Sequence, residues 1–193
     1  MSGELSSKAA EIAGHARTLL AAGGYSGFSY ADISERVQIS KASIHHHFPS
    51  KAELVQTVVM QYRAEARAGM AALHRQLDDP LAELNAYAGY WASCIQDGSA
   101  PFCICAMLAA ELPSIPREVA DEVRGHFQDI TAWLAGILKR GAAAGQFRLQ
   151  GSAAAEAKAF LATVHGAMLA ARALDEPRTF QAIVQPAIRK LIA

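Results

Sequence analysis

Three cysteines are the residues of this chain best suited to covalent chemistry: Cys94, Cys103 and Cys105. A thiolate attacks electrophiles and oxidants when a cation or a helix N-terminus lowers the pKa of its thiol. No Lys or Arg lies close to Cys103 in the sequence, so its activating group must come from another helix. Reactivity and simple apolar packing both stay open for Cys103, whereas packing is the favoured interpretation for Cys105 and Cys94.

Three consecutive histidines, His45 to His47, form the second group with possible chemistry. Adjacent residues of a helix point about 100° apart, so three in a row cannot converge on one metal ion. A zinc site built from Cys103, Cys105 and His165 lacks a fourth ligand. The sequence contains no Gly-rich phosphate loop, catalytic triad motif, strand pattern or repeat. We therefore predict no metal site, no cofactor and no enzymatic activity.

The histidines lie in a stretch, residues 28–54, whose pattern predicts two short helices joined by a tight turn. Ser29 is a good N-cap for the first helix, and Asp32 stands where it completes a capping box. Ser40 caps the second helix, which Pro49 prevents from continuing. Its outer face would carry hydroxyls, an ammonium group and imidazoles, which suit phosphate oxygens and base edges in a DNA major groove.

The segment SKASIHHHFPSKAEL, residues 40–54, resembles the recognition helix and the start of the next helix in the tetracycline-repressor (TetR) family of bacterial regulators. The upstream FSYADI, residues 28–33, resembles the opening of that family's second helix. The family usually has Gly where this chain has Gln38, and Tyr where it has His45. The predicted DNA contacts are Ser29, Gln38, Ser40, Lys41, Ser43, His45, His46 and Lys51.

The composition indicates a helical protein of the cytoplasm. Hydrophobic residues make up 52% of the 193 residues, and many are Ala, which favours helix. There is no apolar run long enough for a membrane span, no signal-peptide pattern, and too few cysteines for a secreted disulfide framework. The net charge is zero, so the DNA-binding prediction depends on the geometry of the motif and not on charge.

Hydrophobic periodicity predicts an all-α fold of about nine helices, preceded by a disordered lead at residues 1–7. We expect a three-helix DNA-binding domain at residues 1–50 and a helical ligand-binding and dimerisation domain at residues 51–193, connected by the helix that begins at Lys51. The very apolar composition of the short segment from Ala100 to Glu111 predicts a buried helix or turn.

The last two predicted helices carry more small and apolar residues than one core face needs. They are expected to pair with the same helices of a second copy, with internal packing as the alternative. A two-fold homodimer would place two recognition helices one DNA turn apart, matching a palindromic operator.

The resemblance implies a repressor whose helical body binds a small-molecule inducer. Aromatic and Met side chains predict an apolar, adaptable cavity with His165 as its polar group, although each is also compatible with plain core packing. The segment from Phe102 to Glu111 resembles members that sense reactive electrophiles through a cysteine. The predicted ligand contacts are Tyr87, Trp91, Phe102, Cys103, Cys105, Met107, Trp133, His165 and Met168.

Two other function classes stay compatible with the sequence. One is a thiol-based redox enzyme using Cys103 and Cys105, although no CxxC motif at a helix start supports it. The other is a helical interaction protein without DNA binding, for which Gln38 and His45 are the only hints. The expected partners are operator DNA, a small-molecule inducer and a second copy of the chain, with no membrane.

Overall fold

In this computed structural model, residues 5–99 and 102–192 are described. Part of the expected disordered lead, residues 1–4, and the first two residues of the apolar segment, Ala100 and Pro101, lie outside them. Within the described ranges the chain forms helices and one isolated antiparallel bridge, Phe147 with Ile192, so the all-α prediction is confirmed. The helices are α1 (Ser7–Gly23), α2 (Tyr30–Val37), α3 (Lys41–His47), α4 (Lys51–Leu77), α5 (Pro80–Asp97), α6 (Ile104–Ala110), α7 (Arg117–Ala143), α8 (Ala153–Leu174) and α9 (Arg178–Leu191).

Local capping chemistry sets most helix starts. Ser6 caps α1 by accepting from the Ala9 N–H, and Asp79 caps α5 by accepting from Ala82 at 2.7 Å. Ser29 and Asp32 form the capping box predicted for α2. Each cap satisfies backbone N–H groups that the first helical turn leaves without partners. None of the helices in the described ranges combines the length and hydropathy needed to cross a membrane.

The chain divides into two compact units. The first unit comprises Met1–Ala64 and Cys103–His126, so it contains both the three helices of the predicted DNA-binding domain and α6. Its described part has α1 packed against α2 and α6, and α2 packed against α3. The fully buried side chains at its centre include Ile12, Ile33 and Ile44. The predicted domain boundary between residues 50 and 51 stays a prediction.

The second unit comprises Glu65–Phe102 and Phe127–Ala193. In it α9 packs against both α8 and α5, around fully buried side chains such as Leu84, Leu134 and Phe180. Outside this core α8 and α9 expose three large apolar side chains, Leu169 at 59%, Leu174 at 61% and Ile183 at 37%, and Ile192, which follows α9, is 44% exposed. The two helices thus bury one apolar face and leave further apolar surface uncovered within the chain.

The second unit also buries a carboxylate. Glu83 has no solvent exposure, and its Oε1 accepts from the Arg140 guanidinium and lies 3.2 Å from His74 Nδ1. The neighbouring Asp79 accepts from the Gln146 amide at 2.6 Å. We call Glu83, Arg140 and His74 the charged cluster. Because it draws one residue from each of α4, α5 and α7, it fixes the mutual register of these helices.

Candidate DNA-binding helix and thiol cluster

The turn between α2 and α3 is held in a left-handed conformation by a residue other than glycine. Gln38 has φ 57° and ψ 43°, and its side-chain amide donates to the Glu35 carbonyl at 2.6 Å. Ser34 closes the turn from the other side by donating its hydroxyl to the Ile39 carbonyl at 2.5 Å. Left-handed backbone costs an L-residue roughly 1–2 kcal/mol, and these two bonds offset part of it. Gln38 therefore occupies the geometry in which the family usually has Gly.

Packing holds α3 against the rest of the first unit. Ile44 is fully buried and Phe48 is 3% exposed, so one side of the short helix is anchored in the core. Tyr30 donates its hydroxyl to the Phe48 carbonyl at 2.8 Å, and its ring lies 4.7 Å from that of His45. Burial, with Glu53 and Tyr25 adding to it, raises the pKa of Tyr30 to about 12, so this donor keeps its proton at neutral pH. The helix is presented as a rigid element.

Five of the eight predicted DNA contacts face outward together on this helix. Ser40, Lys41, Ser43, His45 and His46 are all exposed. The Ser40 hydroxyl caps the helix by accepting from the Ser43 N–H at 3.1 Å. Lys41 lies exposed in the first turn. The outer face thus offers a cation, hydroxyls and imidazoles at once, as the sequence predicted.

His45 is oriented by its own backbone neighbourhood. Its Nδ1 lies 3.1 Å from the Pro49 carbonyl oxygen, which can only accept a hydrogen bond. The proton of the neutral ring therefore resides on Nδ1, and Nε2 is presented outward as an acceptor. Such an acceptor suits the amino group of adenine or cytosine in a major groove, whereas the protonated ring would suit a phosphate.

Two of the three consecutive histidines are in contact with each other. His46 and His47 contact each other edge to face, with ring centroids 5.4 Å apart. No group of three metal-ligating side chains converges in any part of the chain that the structure describes.

Ser29 and Lys51, two further predicted DNA contacts, already have partners inside the first unit. The Ser29 hydroxyl donates to Asp32 at 2.8 Å, and the Ser29 N–H donates to the same carboxylate. These two hydrogen bonds hold the Asp32 pKa below its usual range. Lys51 donates to the Phe28 carbonyl, and its ammonium lies 4.2 Å from the centroid of the Phe28 ring. Burial lowers the pKa of Lys51, and the charges of Glu111 and Asp32 oppose this. As DNA contacts these two residues stay predictions.

Cys103 belongs to a buried group of three side chains, which we call the thiol cluster. Its Sγ lies 3.9 Å from His126 Nε2 and accepts a hydrogen bond from the Tyr62 hydroxyl at 3.4 Å. Cys103 has no exposure and His126 has 2%. The Tyr62 and His126 rings lie 5.2 Å apart, so all three groups are in mutual contact. The cluster places a base and a hydrogen-bond donor on one thiol, which is the arrangement a nucleophilic sulfur needs.

The surroundings of Cys105 disfavour its thiolate. Its hydrogen bond with Cys103, followed by burial, raises its pKa, while the nearby Arg63 guanidinium opposes the shift. That guanidinium is itself paired with Glu122 at 3.1 Å. Cys105 is therefore kept as a thiol at neutral pH, and all three cysteines are free. The chemistry of the pair is concentrated on Cys103.

His126 and Tyr62 are absent from the residues predicted to bind a ligand. On α7 the apolar Phe127 is half-buried, whereas the neighbouring His126 lies inside. The available signal was spacing, because His126 stands three residues after Val123 and four before Ile130, both of which are buried. A polar residue on the apolar stripe of a helix indicates a buried partner, and here the partner is the cysteine.

The other predicted ligand contacts fall in two groups. Tyr87 and Trp133 contact each other in a T-shape at 5.5 Å, and His165 contacts the ring of Phe127 at 5.2 Å. Trp133 Nε1 and His165 Nε2 are buried atoms with no hydrogen-bond partner in the described ranges. The first unit holds Cys103, Cys105 and Met107, and the second holds Tyr87, Trp91, Phe102, Trp133, His165 and Met168. As ligand contacts these residues stay predictions.

Comparison with known families gives two matches along the chain. A family model described as "Bacterial regulatory proteins, tetR family" matches residues 12–58. A second, described as "Tetracyclin repressor-like, C-terminal domain", matches residues 80–186, more than half of the chain. The first match covers α2 and α3 with the turn between them. No curated protein matches the chain significantly.

Solved structures similar to this chain are also regulators of the TetR type. A transcriptional regulator of the TetR family from Agrobacterium tumefaciens is 53% identical, with 97% of this chain and 98% of that chain covered and a TM-score of 0.95. A TetR regulator from Legionella pneumophila is 22% identical over 98% and 100% of the two chains, with a TM-score of 0.86. The reduced form of NemR from E. coli is 17% identical over 97% and 98%, also with a TM-score of 0.86. The last two similarities show the fold alone.

Proposed function

Because the chain belongs to the TetR family of DNA-binding bacterial regulators, we propose that it is a repressor that a small apolar or electrophilic ligand releases from a palindromic operator. The observation that carries this proposal is the outward face of α3. That helix is anchored by Ile44 and Phe48 and presents polar side chains to solvent at Ser40, Lys41 and His45. A short rigid helix with such a face fits a major groove.

The individual roles follow from the chemistry of each group. The Lys41 ammonium pairs with a phosphate, and the Ser40 and Ser43 hydroxyls donate to phosphate oxygens at the entrance of the groove. His45 directs Nε2 to a base edge as an acceptor, because Nδ1 is engaged by Pro49. Phosphate pairing supplies affinity, and the base-edge contact supplies sequence preference.

A second copy of the chain completes the operator-binding form. The exposed apolar side chains of α8 and α9, such as Leu169 and Leu174, favour an interface with the same helices of a partner. A two-fold pair sets two copies of α3 about 34 Å apart, the spacing of one DNA turn.

The thiol cluster supports an electrophilic ligand such as an enone or a quinone. As Cys103 sulfur bonds to the β-carbon, its proton passes to His126 Nε2 and the C=C electrons move to the carbonyl oxygen. The imidazolium then protonates the α-carbon, so a thioether forms and nothing is lost. Tyr62 donates to the sulfur while it carries negative charge. A ligand without this reactivity would instead bind through a polar group that hydrogen-bonds to Trp133 Nε1 and His165 Nε2.

The direct test measures binding to the DNA that flanks the gene of this protein. Lys41→Ala and His45→Ala are each expected to weaken binding at least about tenfold, since both copies in the dimer lose the contact. Lys139→Ala, an exposed lysine on α7, is the matched control and should bind as the wild type does. Fluorescence anisotropy gives the affinities, and circular dichroism melting verifies that each variant is folded.

Wild-type affinity in both Lys41→Ala and His45→Ala would contradict the assignment of α3 as the DNA-reading helix. If the wild type itself shifts no flanking DNA in a gel assay, a helical interaction protein becomes the better description. Turnover of a dithiol substrate by the wild type would support a redox enzyme instead.

A further inference from the structure

Glu111, at the C-terminal end of α6, binds the turn between α1 and α2. Its Oε2 accepts from the Tyr25 N–H at 2.6 Å, and its Oε1 accepts from the Ser26 N–H at 3.2 Å. Two consecutive backbone amides thus donate to the two carboxylate oxygens. Tyr25 is 86 residues from Glu111 in the sequence. Bonds of this kind join one charged group to a backbone, so the turn and the end of α6 are fixed to each other.

The turn is shaped to admit this carboxylate. Gly24 has φ +72°, a left-handed conformation that glycine adopts freely. A Cβ at that position would overlap Glu111 Oε2. Any other residue at position 24 would therefore push the carboxylate away. The close approach and the backbone conformation both require glycine at this position.

The same turn leads directly into the DNA-reading helices. Lys51, the first residue of α4, lies 4.7 Å from the centroid of the Tyr25 ring and donates to the Phe28 carbonyl. Phe28 precedes Ser29, which caps α2. A displacement of the turn would thus disturb the starts of α2 and α4 together.

Cys103 and Glu111 stand at opposite ends of α6. Cys103 precedes the helix as its N-cap residue, and Glu111 follows it as its C-cap residue. The seven residues between them form a rod of roughly 10 Å. Cys105 and Leu108 have no exposure, so the helix is packed against its surroundings, and close packing transmits a displacement from one end toward the other.

We propose that the Glu111 carboxylate is the coupling residue through which an adduct on Cys103 displaces the turn between α1 and α2, and with it the DNA-binding helices. This inference rests on the proposed function, since it assumes that an adduct on Cys103 weakens operator binding. An adduct adds atoms at a packed site, because Cys103 has no exposure and His126 has 2%. Extra volume in such a packed site forces its neighbours to shift. The carboxylate then draws Tyr25 and Ser26 with α6, and the operator is released.

A double-mutant cycle tests the coupling without any ligand. Cys103→Met places a thioether where an adduct would sit, and Glu111→Ala removes the carboxylate. Cys103→Met is expected to lower affinity for the flanking DNA about tenfold, but less than about twofold when Glu111→Ala is also present. Glu118→Ala is the matched control, because it removes an exposed carboxylate whose charge also acts on Tyr25. In that background the tenfold loss should persist.

Hydrogen exchange supplies a readout that does not depend on DNA. In Cys103→Met, the Tyr25 and Ser26 amides should exchange at least about tenfold faster than in the wild type. If Cys103→Met does not fold, N-ethylmaleimide on the folded Cys94→Ser/Cys105→Ser protein gives the same comparison, because only Cys103 then carries a thiol.

The outcomes separate the two proposals. Equal loss of DNA affinity with and without Glu111 would overturn the coupling while leaving the repressor proposal intact. Unchanged exchange at Tyr25 and Ser26 would overturn the coupling as well. If no protein in the set binds the flanking DNA, the repressor proposal fails, and the exchange rates alone decide whether α6 moves the turn.

Discussion

The two compact units bury polar groups of different kinds. In the first unit the thiol cluster places the Tyr62 hydroxyl and the His126 imidazole beside the Cys103 thiol. In the second unit the charged cluster surrounds the Glu83 carboxylate with Arg140 and with His74. Both central residues have no solvent exposure. The clusters are therefore matched in burial and differ in charge.

The difference in charge separates a structural cluster from a reactive one. Burial of an ionised carboxylate costs several kcal/mol, which only a close cation and hydrogen bonds offset. Glu83 therefore cannot change partners without loss of stability. A thiol behaves as a small apolar group and is cheap to bury, so Cys103 needs no compensating charge. Tyr62 and His126 contact the thiol without having to offset a buried charge on it. This comparison leads to three predictions.

The largest expected effect is on the charged cluster. Arg140→Met should lower the free energy of unfolding by about 3 kcal/mol, because it leaves the Glu83 carboxylate buried without its cation. The additional change Glu83→Leu should restore more than half of the loss. Chemical denaturation measures both variants, with Arg124→Met as control. Arg124 pairs with Asp121 on the surface, so that variant should lose less than about 1 kcal/mol.

A loss as small as that of Arg124→Met would mean that Glu83 is reached by water. The two clusters would then not be matched in burial, and the comparison between them would fail.

The intermediate effect is on the thiol cluster. His126→Gln should slow alkylation of Cys103 by N-ethylmaleimide on the order of tenfold, since the base that accepts the thiol proton is lost. Peptide mass spectrometry at timed intervals gives the rate at Cys103 separately from Cys94 and Cys105. The matched control is His165→Gln in the second unit, which should leave that rate unchanged. Equal rates in His126→Gln and the wild type would show that Cys103 is only packed.

The smallest effect is a pH dependence that both units should share. Hydrogen bonds from the Ala82 N–H and then from Gln146 lower the Asp79 pKa, and the Ser29 bonds do the same for Asp32. A lowered pKa adds stability above the ordinary value of about 3.9, and this is lost as the pH falls through the folded-state pKa. Asp79→Asn should therefore be less stable than the wild type at about pH 7, with the gap closing toward about pH 3. Denaturant titrations at both pH values provide the measurement, and a constant gap would contradict it.

Most helix limits could be read from local signals. The capping box of Ser29 and Asp32 begins α2 as expected, and Asp79 with Pro80 separates α4 from α5. The connecting helix was predicted to begin at Lys51, and α4 does begin there. Caps and breakers act through backbone groups within one turn, so a single sequence contains what is needed to place them.

The candidate sites divide along the same line. The outward face of α3 was predictable because a short helix with one buried residue, Ile44, leaves its other side to solvent. The partner of Cys103 was expected on another helix, but which helix and which residue could not be stated. The buried Glu83 was not predicted either, because a carboxylate on an apolar face is tolerated only when a distant cation meets it.

The sequence by itself determined the helices, the DNA-reading motif and the family, since each depends on residue types a few positions apart. Only the tertiary structure decided which side chains face each other. Cys103 meets His126 across 23 residues of sequence, and Glu111 meets the Tyr25 amide across 86. Such pairs are set by how whole helices pack, and packing depends on the shapes of all the surfaces involved at once.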